Sequence, residues 1–190
     1  MAEEKLRKKI AIMEKQLREL QMEADSVKER LQKTENNRDE YKSKYLQFKG
    51  IFQRQTGTFY QYQALSEQSK DALSGVFRGE SFEEFLACGV QPGNIDTLWE
   101  FSRSQALKGN LADIDILEQI IAYFVHLYNG TNKSPILAFQ NVRPGDPFDI
   151  DLHIRTQTSK AAGTISKILI TGLTNAFTGE TIKKSVVEVE

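Results

Sequence analysis

The sequence predicts an α+β protein: a long N-terminal parallel coiled-coil helix, a small helical bundle region and a small antiparallel β-domain of the wing type at the C-terminus. Three observations predict it. Hydrophobic residues recur at strict 4-3-4-3 spacing through the first quarter of the chain. Short amphipathic runs with helix-capping residues fill the middle. After Val142 the pattern changes to β-branched runs separated by glycine turns. The expected divisions are 1–56, 57–141 and 142–190.

The stripe comprises Leu6, Ile10, Met13, Leu17, Leu20, Ala24, Val27 and Leu31, and its register continues through Thr34, Arg38, Tyr41, Tyr45, Phe48 and Phe52. A period of 3.5 sustained this long is the mark of a left-handed coiled coil. At 1.5 Å per residue the rod is roughly 70 Å long, too long to stand on one narrow apolar stripe without a partner helix. With Leu6 at d and Ile10 at a, a parallel in-register dimer sets Lys9 against Glu14, Glu23 against Lys28 and Arg30 against Glu35. Each such pair is worth only about 0.3–0.5 kcal/mol, but all three agree in sign. No Pro or Gly precedes Gly50 to turn the chain back on itself. A parallel homodimer is the expectation, and packing on another protein's helices is the alternative. Thr56-Gly57 is the expected helix stop.

In the middle region Ser66 is placed to cap one helix, and Ser81 with Glu84 forms a capping box for the next. Gln91-Pro92-Gly93 reads as a turn, with Asn94 capping a helix that carries Ile95, Leu98, Trp99 and Phe101. Asp113 is placed to cap the most apolar helix, which Asn129-Gly130 ends. Towards the C-terminus, Leu152, Ile154 and Thr156 alternate with His153 and Arg155, a half-buried strand signal. Thr164–Thr171 and Thr181–Val189 are two further β-branched runs, the second preceded by a Thr178-Gly179 turn.

Several function classes are disfavoured. The formal net charge is −1 in 190 residues, so the basic footprint of a nucleic-acid binder is missing. Lys5, Arg7, Lys8 and Lys9 alternate with acids and read as a solvated face. Cys88 is the single cysteine, which leaves no intrachain disulfide and no cysteine metal cluster. No apolar run spans a bilayer and no signal-peptide core opens the chain, so a cytoplasmic protein without membrane contact is expected. His126 and His153 read as packing or hydrogen-bonding residues, and no phosphate-binding glycine loop is present. Asp146, Asp149 and Asp151 sit at loop spacing without an EF-hand pattern. No catalytic residue, metal or cofactor is expected: the chain reads as an interaction protein.

Two segments carry a resemblance. Arg38-Asp39-Glu40-Tyr41, then Phe48, Arg54 and Thr56, resembles the R-D-E-Y…F-E-N-Y-R-K-R-T stretch late in the long helix of the GrpE family, the nucleotide exchange factors of DnaK-type chaperones. Gly145-Asp146-Pro147-Phe148-Asp149-Ile150-Asp151-Leu152-His153 is similar to the G-x-x-F-D-P-x-x-H that leads into that family's β-wing. Gly163–Leu173 resembles its G-T-V-V-E-V-L-Q-K-G-Y, and Val186-Val187-Glu188-Val189 its closing strand. The resemblance covers about half the chain and leaves 57–141 unaligned. Phe52 stands at the first Arg of the helix motif, Ile150 at the Pro and Ile154 at the Glu after the histidine. In the last hairpin Gly179–Ser185 replaces D-R-V-L-R-P-A.

The resemblance implies a co-chaperone dimer that holds the cleft of a DnaK-type ATPase open so that ADP leaves. A dedicated atypical ATPase of this type is the alternative partner. The contact residues it implies are Arg54, Phe148, Asp149, His153, Gly172, Leu173, Phe177, Lys183 and Lys184. For the two lysines, guarding an edge strand is an equal alternative. A coiled-coil scaffold presenting a small β recognition module is the competing function.

Overall fold

A computed structural model describes residues 2–190. The chain forms two compact units, Met1–Gln53 and Arg54–Glu190. One helix, α1 (Ala2–Gln63), supplies the whole described part of the first unit and the opening of the second. Within the first unit the seam from Leu6 to Leu31 is solvent-exposed throughout, with Ile10 at 44% and Leu17 at 65%. Ion pairs one turn apart, such as Arg7–Glu3 at 3.0 Å and Lys8–Glu4 at 3.5 Å, decorate the other faces.

α1 runs on past Gly57, where the sequence analysis set its stop. The reason is tertiary. Phe59 and Tyr62 pack on Phe85 at ring separations of 5.4 and 5.2 Å, and Tyr62 meets Phe77 at 4.6 Å. Burying two aromatic rings outweighs the roughly 1 kcal/mol that a mid-helix glycine costs.

Four further helices follow: α2 (Glu67–Ala72), α3 (Phe82–Gly89), α4 (Pro92–Lys108) and α5 (Ile114–Gly130). The Ser81–Glu84 capping box forms at the start of α3, with Glu84 N–H donating to Ser81 Oγ and Ser81 N–H to Glu84 Oε2. α4 starts earlier than expected, with Pro92 in its first turn, where proline's missing N–H costs nothing. Asn94, expected as its cap, instead donates Nδ2 to Cys88 O at 2.8 Å. Asp113 is the N-cap residue of α5, its O accepting from Leu117 N–H at 2.9 Å, but its side chain makes no bond to that helix. Its carboxylate accepts from Ser66 Oγ and Ser69 Oγ at 2.5 and 2.7 Å and so fastens α2. His126 lies on the exposed side of α5.

The strands are β1 (Leu137–Phe139), β2 (His153–Arg155), β3 (Ile165–Ile170), β4 (Leu173–Asn175), β5 (Thr181–Lys183) and β6 (Ser185–Val189). They build two three-stranded sheets, β1-β4-β5 and β2-β6-β3. The first is antiparallel, but in the second β2 runs parallel to β6, so the β-region is mixed. The run Thr181–Val189 breaks at Lys184 and serves both sheets. Leu169, Ile170, Leu173 and Val186 share one core with Leu98, Trp99, Leu117 and Phe124. The helical and β segments of the second unit therefore stabilise each other. Among the described residues, no helix is long and apolar enough to cross a membrane.

Candidate functional site

The segment before β2 is a tightly bonded turn. Gly145, at φ +94°, takes a backbone conformation that glycine tolerates best. Arg143 N–H donates to Asp146 Oδ2 at 2.7 Å, Asp151 N–H to Asp149 Oδ1 at 2.8 Å and His153 N–H to Asp149 O at 2.7 Å. The aspartates thus serve the turn as hydrogen-bond acceptors. His153 is buried and Leu152 exposed, against the alternation expected for its strand, while Arg155 stays exposed and Thr156 buried as expected. His153 Nδ1 accepts from Asp149 N–H at 3.1 Å, and its ring lies 6.1 Å from that of Phe148. Burial lowers the imidazole pKa, against the pull of the Asp149 and Asp146 carboxylates. A neutral ring with Nδ1 free to accept is what the turn requires.

This turn is joined directly to the start of β3. Gly145 N–H donates to Ile165 O at 2.7 Å, Ile165 N–H to Asp146 O at 2.8 Å and Phe148 N–H to Gly163 O at 3.0 Å. Pro147 and Thr164 form a β-bridge. Beside it lies a shallow groove of about 400 Å³ lined by Phe148, Ile150, His153, Ile154, Arg155, Thr156, Gln157 and Lys184. Its formal charges are Arg155 and Lys184. Arg155 donates to Ser159 O at 3.2 Å and Lys184 to Ile150 O at 2.8 Å, both neutral carbonyls. An apolar floor between two cations suits recognition of a polypeptide, and no nucleophile–base pair accompanies it among its lining residues.

Of the residues singled out from the sequence, Phe148, Asp149, His153 and Lys184 come together around this groove. Gly172 and Leu173 are buried and do not line it: a Cβ on Gly172 would overlap Lys183 O and Gln140 Oε1. Phe177, 70% exposed, stands apart on the turn after β4. That turn is held by Asn175 Oδ1, which accepts from Phe177 N–H at 2.8 Å and Thr178 N–H at 3.1 Å. Arg54 stacks 5.9 Å from the Tyr123 ring on α5.

Lys183 is not displayed at an exposed tip. Its ammonium bonds Asp96 at 2.6 Å and Glu100 at 2.7 Å and lies 5.4 Å from the Trp99 ring. Burial alone would lower its pKa, but the two α4 carboxylates hold it above the ordinary lysine value. Trp99 Nε1 in turn donates to Thr171 O, and Thr171 Oγ1 donates to Glu118. Lys183 therefore ties β5 to α4. Of the two lysines, only Lys184 lines the groove.

Gln140 escaped the sequence reading. Its Oε1 accepts from Ser185 N–H at 3.0 Å, and its Nε2 donates to Leu152 O at 3.0 Å, so it joins the end of β1 to the second sheet. A lone polar residue after a three-residue strand leaves no periodic signal. Among the described residues, no group of three His, Cys, Asp or Glu is placed to hold a metal ion. No protein-family model matches this chain, and no curated protein matches it at a significant level.

Proposed function

We propose that the chain is a GrpE-like nucleotide exchange factor, acting as a homodimer on a DnaK-type ATPase. The observation that carries this reading is the meeting of two motifs. Gly145–His153 and Gly163–Leu173 each resemble the family separately, and backbone bonds join them through Pro147–Thr164, Gly145–Ile165 and Phe148–Gly163. They frame an exposed wing surface with an apolar floor and two cations. The exposed seam from Leu6 to Leu31 supports the dimer, because it has no cover within its own unit.

The mechanism is mechanical. The wing binds the nucleotide-poor, open conformation of the ATPase better than the closed one, and only that difference shifts the population. Linkage then requires ATP to weaken the complex by the same factor. Titration of the full-length chain with a nucleotide-free DnaK-type ATPase domain, by calorimetry with and without ATP, tests this. Binding that ATP abolishes is expected. Binding of equal affinity in both states would favour the scaffold function, in which nucleotide plays no part.

A further inference from the structure

β2 is an end strand of its sheet, and its outer edge is open. Thr156 N–H donates to Val187 O at 3.1 Å across the β2–β6 pair. Peptide groups alternate in direction along a strand, so the Arg155 N–H and C=O face away from β6. Neither has a hydrogen-bond partner among the described residues. β1, an end strand of the other sheet, is handled differently. Asn129 Oδ1 accepts from Ile136 N–H and Leu137 N–H, and Asn129 Nδ2 donates to Leu137 O. The fold closes one edge with a dedicated side chain and leaves the other bare.

The bare edge runs beside the groove of Phe148, Ile150 and Ile154, in which Ile150 is 73% exposed. Arg155 and Lys184 bond only carbonyls there, so their charges are uncompensated within the groove. Asp149 and Asp151 flank the turn but do not line it. Open backbone, an apolar floor and two free cations have one common complement, an extended polypeptide that carries apolar and acidic side chains in alternation. We infer that the wing recognises its partner by strand addition: an extended anionic segment of the partner protein pairs with β2 at Arg155 and lays its apolar side chains on Phe148 and Ile150. This rests on the wing being the partner surface. A three-residue edge also resists aggregation, but that role needs no groove and no apolar floor.

The test is amide hydrogen exchange on the full-length chain, alone and saturated with the nucleotide-free DnaK-type ATPase domain, with affinities measured for three variants. The Arg155 and Gln157 amides are expected to slow about tenfold or more in the complex, as newly bonded amides do. Arg155→Pro removes the outward N–H at an edge position that tolerates proline, and is expected to weaken binding at least tenfold. Arg155→Ala keeps the N–H and is expected to weaken it less. Ile150→Asp is expected to match the proline variant. If Arg155→Pro loses its fold by circular dichroism, the exchange measurement decides. A complex that forms with unchanged Arg155 exchange overturns strand addition and leaves wing docking intact. No complex at all removes both.

Discussion

The two units treat their large hydrophobic residues in opposite ways. In the first, Leu6, Ile10, Met13, Leu17, Leu20, Val27 and Leu31 are all exposed. In the second, Leu98, Leu117, Ile120 and Phe124 reach zero exposure. One unit has a core of its own; the other has none among its described residues. Burial stabilises by about 25 cal/mol per Å², so the rod gains that term only from another helix. A unit that needs a partner to be stable answers to concentration, whereas a unit with its own core does not.

The first way to sharpen this contrast is to damage the core. Phe85, 1% exposed, packs on Phe77 and Phe124 at 5.0 Å each. Phe85→Ala is expected to cost the second unit about 3–5 kcal/mol in denaturant unfolding. Sedimentation should still report the dimer. The second damages the seam. Leu17→Asp is expected to cost about 2 kcal/mol or more of association, because a carboxylate meets its copy in an apolar layer. The tertiary signal of Trp99 should be unmoved, and a chain that stays dimeric would refute the seam.

Smaller effects follow within the second unit. Asp96→Asn with Glu100→Gln leaves Lys183 without its anionic partners. Both carboxylates are partly exposed, so the expected loss is only about 1 kcal/mol. Exchange of β5 amides should rise more than exchange of α5 amides. The mildest probe is pH. The His153 pKa is depressed in the folded state by burial, so the unfolded chain binds the extra proton first. Stability from this site is complete above the unfolded value of about 6.5 and is lost as pH falls from there towards the folded value. Protonation also removes the acceptor for Asp149 N–H. The Asp149–Arg155 amides should exchange faster at pH 5.5 than at pH 7.5 after correction for intrinsic rates, and His153→Gln should flatten the difference.

The contrast also shows what a sequence makes legible. The long helix is a local pattern and reads directly. So do the Ser81–Glu84 box and the turn before β5, where Gly179 adopts φ +72°. Local rules failed where distant residues decided the outcome. Gly57 did not stop α1, because Phe59 and Tyr62 had partners on other elements. Asp113 stands at the N-cap of α5, but its carboxylate bonds Ser66 and Ser69 instead of that helix. β1, β2, β4 and β5 have three residues each, too few to carry a period. The parallel pairing of β2 with β6 therefore could not be read. The candidate site was half legible. The turn and Lys184 were found, but Lys183 was assigned outward because its acidic partners lie on α4, more than eighty residues away in sequence.

The activity we propose for this chain is opening of a DnaK-type ATPase. It is tested most directly by stopped-flow release of a fluorescent ADP analogue from such a chaperone of the same source, with and without the full-length chain. The account predicts acceleration of about tenfold or more, equivalent to at least about 1.4 kcal/mol off the release barrier. An unchanged release rate, with the dimer intact in the same solution, would contradict it.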